Sequence, residues 1–428
     1  MANPGDKVKV TTKDEIVEGI LMPNEETDSI VIKLDNGYNI GIEKERVKSI
    51  EVIEKYRAKE TKKEQVKIDS SKPTISILHT GGTIASKVDY KTGGVISRFE
   101  PEELINMFPE LKAIANIKSR LIAKMFSEDI RFSHYKLMIK AIQEEIKSGA
   151  NGIILTHGTD TLAYTSAALA FAIENPPIPI ILVGAQRSSD RGSSDAAVNL
   201  LCAAEFITKT DFKGVAICMH SSMEDKTCAI LPATKTRKLH TSRRDAFRAV
   251  NDEPIALINY ENKKIEFIQE IKQEKNDLTI KDSFEEKVSI IRCHPNMFPE
   301  QFKFYKGYKG LIIEGTGLGQ APTGTPNELC KIHKENLEAI KDLVSSGTIV
   351  VMTSQCIFGS VHPHVYSNAI DLSNIGVIYA KDILTETAFI KLAWLLGNYQ
   401  DKEQIKELMQ DNLRGEINER IEPDEYLD

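Results

Sequence analysis

The chain has 428 residues, 41% hydrophobic and 27% charged, with a formal charge of −7. That length suits two or three domains with sizeable cores, and the acidic balance excludes a chain that grips nucleic acid mainly through its own Lys and Arg. No apolar run approaches the roughly 20 residues needed to cross a bilayer, and the polar start from Met1 to Asp6 has no signal-peptide core, so the cytoplasm is the expected compartment and no membrane contact is expected. The six cysteines (Cys202, Cys218, Cys228, Cys293, Cys330 and Cys356) show no C-x-x-C spacing and read as reduced, mostly buried thiols.

Residues 1–53 read as a separate small β-barrel of SH3-like or Sm-like type. Short β-branched runs, such as Ile30-Val31-Ile32, alternate with turn residues, and Asp35-Asn36-Gly37 is a strong hairpin signal. Residues 1–72 hold 14 Lys+Arg against 15 Asp+Glu, which leaves no basic footprint and favours a docking or spacer role. Residues 54–72 are dense in Lys and Glu and read as a charged linker.

From Pro73 the pattern alternates. Strands are expected at residues 74–79, 152–156, 178–184 and 215–219, and helices at 101–107, 135–148, 162–174 and 196–208. Such alternation implies a doubly wound, mostly parallel α/β sheet with right-handed crossovers over residues 73–275. After a polar stretch at 269–286, residues 286–428 read as a second, smaller α/β domain. Its expected strands are 288–292, 310–314 and 348–353, and its expected helices are 336–346, 385–396 and 402–411.

Two turns carry the candidate chemistry, each following an apolar strand: Thr80-Gly81-Gly82-Thr83-Ile84-Ala85 and Thr156-His157-Gly158-Thr159-Asp160-Thr161. In open α/β sheets, ligands bind beyond the carboxyl ends of strands, where glycines admit the backbone and helix N-termini offer N–H donors. Thr83 is either a hydroxyl beside a bound carbonyl or a helix N-cap, and Asp160 has the same two readings. Lys235, in Ala233-Thr234-Lys235-Thr236, is the candidate base if the fold brings it to Asp160; otherwise it is a solvated lysine. The basic run from Arg237 to Arg244 reads as an exposed hairpin arm. Ser127-Glu128-Asp129 reads as a strand-end turn, with a helix cap as the plain alternative. Neither a Gly-Lys-Ser/Thr phosphate loop nor a G-x-G-x-x-G occurs, and Cys356 with His362 and His364 matches no common zinc spacing, so no metal is expected.

Taken together, Thr80 to Ala85, His157 to Thr161, Val183-Gly184-Ala185-Gln186-Arg187 and Ala233 to Thr236 resemble the bacterial-type L-asparaginase family, in that order and over about residues 73–400. The resemblance implies an asparaginase-like two-domain α/β fold and hydrolysis of a side-chain amide through a threonine acyl-enzyme. It implies Thr83, Thr159, Asp160 and Lys235 as the catalytic set, without metal. It also implies Ser127, Glu128, Gly82 and Gly158 at the substrate, with Tyr90 on a mobile lid. The N-terminal extension is not a feature of free asparaginases. The whole layout is similar to that of the archaeal-type glutamyl-tRNA(Gln) amidotransferases, where an asparaginase-like subunit releases ammonia from glutamine or asparagine. Its partner there, the E subunit, uses ATP and Mg to amidate Glu-tRNA(Gln). That resemblance implies no cofactor in this chain, a homodimer within a heterotetramer, and tRNA contacts mainly on the partner. A free asparaginase or glutaminase is the runner-up, and a non-catalytic amino-acid-binding module is the reading from another class.

Overall fold

The computed structural model describes residues 2–22, 28–34, 39–55, 69–81, 86–88, 95–97, 108–187, 194–270, 276–422 and 426. The expected helix at 101–107, the Asp35-Asn36-Gly37 turn, most of the charged linker, and Gly82, Thr83 and Tyr90 lie outside the described residues.

The N-terminal strands are β1 (Lys7–Thr12), β2 (Ile16–Met22), β3 (Ser29–Lys33), β4 (Asn39–Glu43) and β5 (Val47–Glu54). They form one antiparallel sheet in the order β4-β3-β2-β1-β5. Alternation places Val8, Val10, Val17, Ile32 and Ile42 in a small core of its own.

The central sheet contains β6 (Thr74–Gly81), β7 (Asn116–Met125), β8 (Gly152–Thr156), β9 (Pro179–Val183) and β10 (Gly214–His220), all parallel. Three antiparallel strands continue it: β11 (Thr227–Pro232), then, beyond the hairpin described below, Ala256–Asn259 and Ile265–Phe267. Every residue of β8 and β9 is buried, as expected of parallel strands covered on both faces. The range of β7 is not among the expected strands, although the strand-end turn read at Ser127-Glu128-Asp129 marks where it stops. It is an edge strand, and Lys118, Arg120 and Lys124 mask its pattern with the charges that edges carry.

Across this sheet the order runs β7-β6-β8-β9-β10. The chain leaves β6 toward one side, then returns to build in the other direction from β8, so a switch point lies between β6 and β8. Both threonine turns begin there.

Alternate residues divide the sheet into two faces. Ile77, Ile154, Ile181 and Val183 pack under the helix Ala196–Lys209. Leu78, Leu155, Leu182 and Ile217 face α1 (Phe132–Lys147) and α2 (Leu162–Ala172). Nine of the eleven residues of α2 are buried, because this helix also meets the second unit.

That unit has a four-stranded, all-parallel sheet of Val288–Arg292, Gly310–Gly315, Ile349–Ser354 and Ile378–Tyr379 in chain order. Its helix α3 (Thr385–Asn398) lies against α2, and one continuous hydrophobic cluster runs from Leu155 through Phe171 and Trp394 to Ile312 and Val351. Trp394 stacks on Phe171 with ring centroids 5.6 Å apart, and its indole N–H donates to the Lys281 carbonyl at 2.8 Å. Trp394→Ala should therefore cost about 3–5 kcal/mol through loss of the aromatic contacts and the cavity left behind. Chemical denaturation followed by circular dichroism should record this as a lower midpoint; an unchanged midpoint would show that the two units do not depend on this contact.

Candidate active site

The switch point is built from strand ends. His79 and Thr156 are direct partners in the β6/β8 register, and His79 Nδ1 lies 3.0 Å from Thr156 Oγ1. The other ring nitrogen of His79 lies 2.7 Å from Ser119 Oγ on β7, while the Thr80 hydroxyl donates to the Thr156 carbonyl at 2.9 Å. Three neighbouring parallel strands are thus tied by side chains where their backbones separate. Burial holds the His79 pKa down to about 4, so its ring is neutral near pH 7.

Beyond β8 the chain turns through His157, Gly158, Thr159 and Asp160. A Cβ on Gly158 would lie 2.7 Å from Ser127 Cβ and 2.8 Å from its Oγ, so only glycine permits this approach. Thr161 closes the contact by donating its hydroxyl to the Ser127 carbonyl at 2.6 Å. Ser127 is buried and Glu128 is exposed beside it. Thr159 lies over Gly184 at the end of β9, where a Cβ would come within 2.9 Å of Thr159 Cγ2. Asp195 receives the N–H groups of Gln186 and Arg187 at 3.0–3.1 Å, fixing the start of the loop after β9.

The lysine expectation is corrected by the structure. After β11 the chain forms a hairpin of Thr236–Lys238 and Phe247–Ala249, so successive side chains point to opposite faces. Lys238 Nζ donates to Thr159 Oγ1 at 2.8 Å and to Asp160 Oδ1 at 2.7 Å. Lys235 does not approach Asp160. Its fully buried ammonium forms an ion pair with Asp382 of the second unit, whose carboxylate also accepts the Asn418 N–H at 3.1 Å. A buried ammonium requires a paired carboxylate, and Asp382 is that partner. Arg237 likewise turns to the second unit and pairs with Glu386 at 3.2 Å. Residues 235 and 237 anchor the hairpin, which leaves Lys238 free to face the crevice.

Strand alternation within Thr236-Arg237-Lys238 is the signal that finds Lys238, and it was hidden because the run reads as a solvated basic arm. The rest of that arm is largely neutralised locally: Arg243 and Arg248 pair with Asp245, and Arg244 pairs with Asp225. The structure therefore brings Ser127, Gly158, Thr159 and Asp160 together with Lys238, leaves Lys235 outside, and places Glu128 at the margin.

Among the described residues no group of three His, Cys, Asp or Glu side chains is arranged to hold a metal ion. All six cysteines are free, four of them buried. No helix is long and apolar enough to cross a membrane among the described residues. A cavity of about 640 Å³ is lined by Ile173, Gly214, Val215 and Arg414 at the amino ends of the strands, away from the threonine turns.

Comparison with known proteins follows the same division of the chain. Residues 74–273 match the asparaginase N-terminal domain family, 287–409 the glutaminase/asparaginase C-terminal domain family, and 2–53 the GatD N-terminal domain family. The D subunit of glutamyl-tRNA(Gln) amidotransferase from Pyrococcus furiosus is 44% identical over 430 residues, covering 98% of this chain and 95% of the relative. The protein of the same name from Methanococcus maripaludis is 44% identical over 428 residues, covering 97% and 98%. Among solved structures, the thermostable L-asparaginase from Thermococcus kodakarensis superposes with a TM-score of 0.71 at 29% identity, covering 81% of this chain and all of that one. L-asparaginase I from Vibrio cholerae gives 0.69 at 25% identity, over 81% and 99%.

Two buried imidazoles at the switch point, His79 and His157, generate a pH dependence. His79 and His157 each fall from an ordinary 6.5 to about 4 in the folded chain, both through burial. The unfolded chain takes up these protons first as pH falls, so the stabilisation is fully present above about pH 6.5 and is lost progressively toward pH 4. Each ring accounts for about 3 kcal/mol over that window. Urea midpoints measured from pH 7.5 to 4.5 should fall steeply in the parent and less steeply in His79→Asn; an identical slope in both would remove His79 from this account.

Proposed function

Because the chain belongs to the family of glutamyl-tRNA(Gln) amidotransferase D subunits, whose core is an asparaginase domain pair, we propose that it is the amidase component of such an amidotransferase, with Thr159, Asp160 and Lys238 in its catalytic centre. The observation that carries the reading is Lys238 Nζ within hydrogen-bonding distance of both Thr159 Oγ1 and Asp160 Oδ1 at the sheet's switch point. Lysine is the group that can take and return a proton at the threonine hydroxyl, while Asp160 compensates its ammonium.

In this reading a threonine oxygen attacks the side-chain amide carbon of glutamine or asparagine. The lysine network moves the proton to the leaving nitrogen, ammonia departs, and water cleaves the resulting ester. Thr83 is the proposed nucleophile from the first turn, with Thr159 completing the set. Ser127 and Glu128 are the proposed partners of the substrate's carboxylate and ammonium, with Gly82 and Gly158 giving backbone access and Tyr90 on the lid. Lys235 takes no part in the chemistry.

The chain itself needs no cofactor in this proposal. ATP and Mg serve the partner, the E subunit, which uses the ammonia to convert Glu-tRNA(Gln) to Gln-tRNA(Gln) in the cytoplasm. The absence of a basic excess in residues 1–72 supports tRNA contacts on that partner. A homodimer within a heterotetramer is supported by exposed apolar residues on the second unit, Leu318 of the Gly315–Gly319 turn with Ile357, Val365 and Tyr366.

The two lysines separate chemistry from folding. Lys238→Met should reduce glutamine hydrolysis at least 100-fold with an unchanged thermal midpoint. Lys235→Met should destabilise the fold by about 3–5 kcal/mol, since it strands the Asp382 carboxylate. Ammonia release is assayed for the chain alone, with the E subunit, and with Glu-tRNA(Gln) added. A Lys238→Met chain that retains full turnover would refute the catalytic assignment, and ammonia release indifferent to both additions would return the chain to the free asparaginases.

A further inference from the structure

Behind the second turn lies a buried polar chain that the proposed chemistry does not use. His157 is fully buried, and its Nδ1 lies 2.7 Å from the carbonyl oxygen of Gly158, its own neighbour. A carbonyl oxygen only accepts, so Nδ1 carries the ring proton and donates it. The other nitrogen, Nε2, is then the acceptor, and the Thr165 hydroxyl on α2 donates to it at 2.8 Å. Thr165 and the neighbouring Tyr135 on α1 are both buried. Burial keeps the His157 pKa at about 4 and the Tyr135 phenol protonated, so neither group changes charge near pH 7.

The consequence lies at the peptide that follows. The described chain has no cis peptide bonds, and the C=O and N–H of a trans peptide point in opposite directions. Drawing the Gly158 carbonyl inward to His157 therefore turns the Thr159 N–H outward, on the residue whose hydroxyl meets Lys238.

We propose that His157 is a positioning residue, held in one tautomer by the Gly158 carbonyl and the Thr165 hydroxyl, which fixes the Gly158–Thr159 peptide so that the Thr159 N–H faces the bound amide as a donor to its acyl oxygen. The inference rests on the amidase reading. A donor fixed in advance costs no reorganisation when negative charge develops on that oxygen, whereas a peptide free to rotate loses part of the benefit. The Gly158 carbonyl needs a partner in any case, and a purely structural role would end there.

Asparagine and glutamine at position 157 distinguish the two roles. His157→Asn can place an amide N–H near the Nδ1 position, whereas His157→Gln carries its amide toward the Nε2 position and leaves the carbonyl unheld. In the full-length chain, His157→Gln should lower kcat for glutamine hydrolysis roughly 10- to 100-fold with KM within about twofold, and His157→Asn should recover most of the rate. Thr165→Val, of similar volume, should lower kcat severalfold by freeing the tautomer, and it keeps the test open if the histidine variants fold poorly. An Nδ1–H signal from His157 in nitrogen-15 NMR spectra, absent in His157→Asn, reads the tautomer independently of activity.

Full kcat in His157→Gln, equal losses in the Asn and Gln variants that track their thermal midpoints, or an Nε2–H tautomer would each overturn the proposal. Thr159→Ala is measured alongside. If it is inactive while His157→Gln is fully active, the positioning role alone fails; if Thr159→Ala is fully active, the amidase assignment of the turn fails and takes this inference with it.

Discussion

A parallel sheet cannot close over the place where its chain reverses direction, and this constraint governs the rest of the molecule. The strand Thr74–Gly81 sends its chain to one side and Gly152–Thr156 builds toward the other, so the two turns that follow diverge and leave a crevice. Side chains tie the crevice together: His79 joins the Ser119 and Thr156 hydroxyls, Thr80 closes on the Thr156 carbonyl, and His157 holds that of Gly158. Charged residues there would face an unfavourable burial, whereas neutral imidazoles satisfy two groups each.

The second unit acts on the crevice from a distance. Its helix Thr385–Asn398 packs on Leu162–Ala172, and from that junction it supplies Asp382 to Lys235, Glu386 to Arg237 and the Thr387 hydroxyl to the Thr234 carbonyl at 2.8 Å. The C-terminal segment adds a carbonyl, from Arg414, that accepts the Thr234 hydroxyl at 3.0 Å. The hairpin strand is thereby fastened through residues 234, 235 and 237 before Lys238 reaches Thr159 and Asp160. A lysine has a long and flexible stem, so the rigidity of its backbone decides where its ammonium spends its time.

Two buried ion pairs join distant parts of the chain. Lys235 with Asp382 links the two units, and Lys391 with Glu416, 2.6 Å apart and both fully buried, fastens the segment after the last helix. Burial depresses the Lys391 pKa while Glu416 works against that shift, the balance expected of an ion pair retained for geometry more than for net stability. At the crevice, by contrast, Asp160 is exposed and Lys238 partly so, a setting in which protons can be exchanged.

Much of this was legible in the sequence, for local reasons. Ile153-Ile154-Leu155 and Ile180-Ile181-Leu182-Val183 can only be buried strands, glycines at 81 and 158 mark turns that need close approach, and the Thr156 to Thr161 run names its own chemistry. Gly158, Thr159 and Asp160 lie in one turn, whereas Ser127 lies in another and was joined to them only through the family resemblance. The edge strand Asn116–Met125 escaped because an edge carries charges on a strand pattern. The lysine escaped for a different reason. Lys235 and Lys238 are three residues apart in one polar run, and nothing local ranks them, since the choice depends on Asp382, which lies 147 positions further along the chain. Sequence by itself determined which residue types stand at the strand ends; only tertiary packing, by requiring a buried ammonium to find a carboxylate, decided which lysine was locked into the junction and which was left to face the threonine.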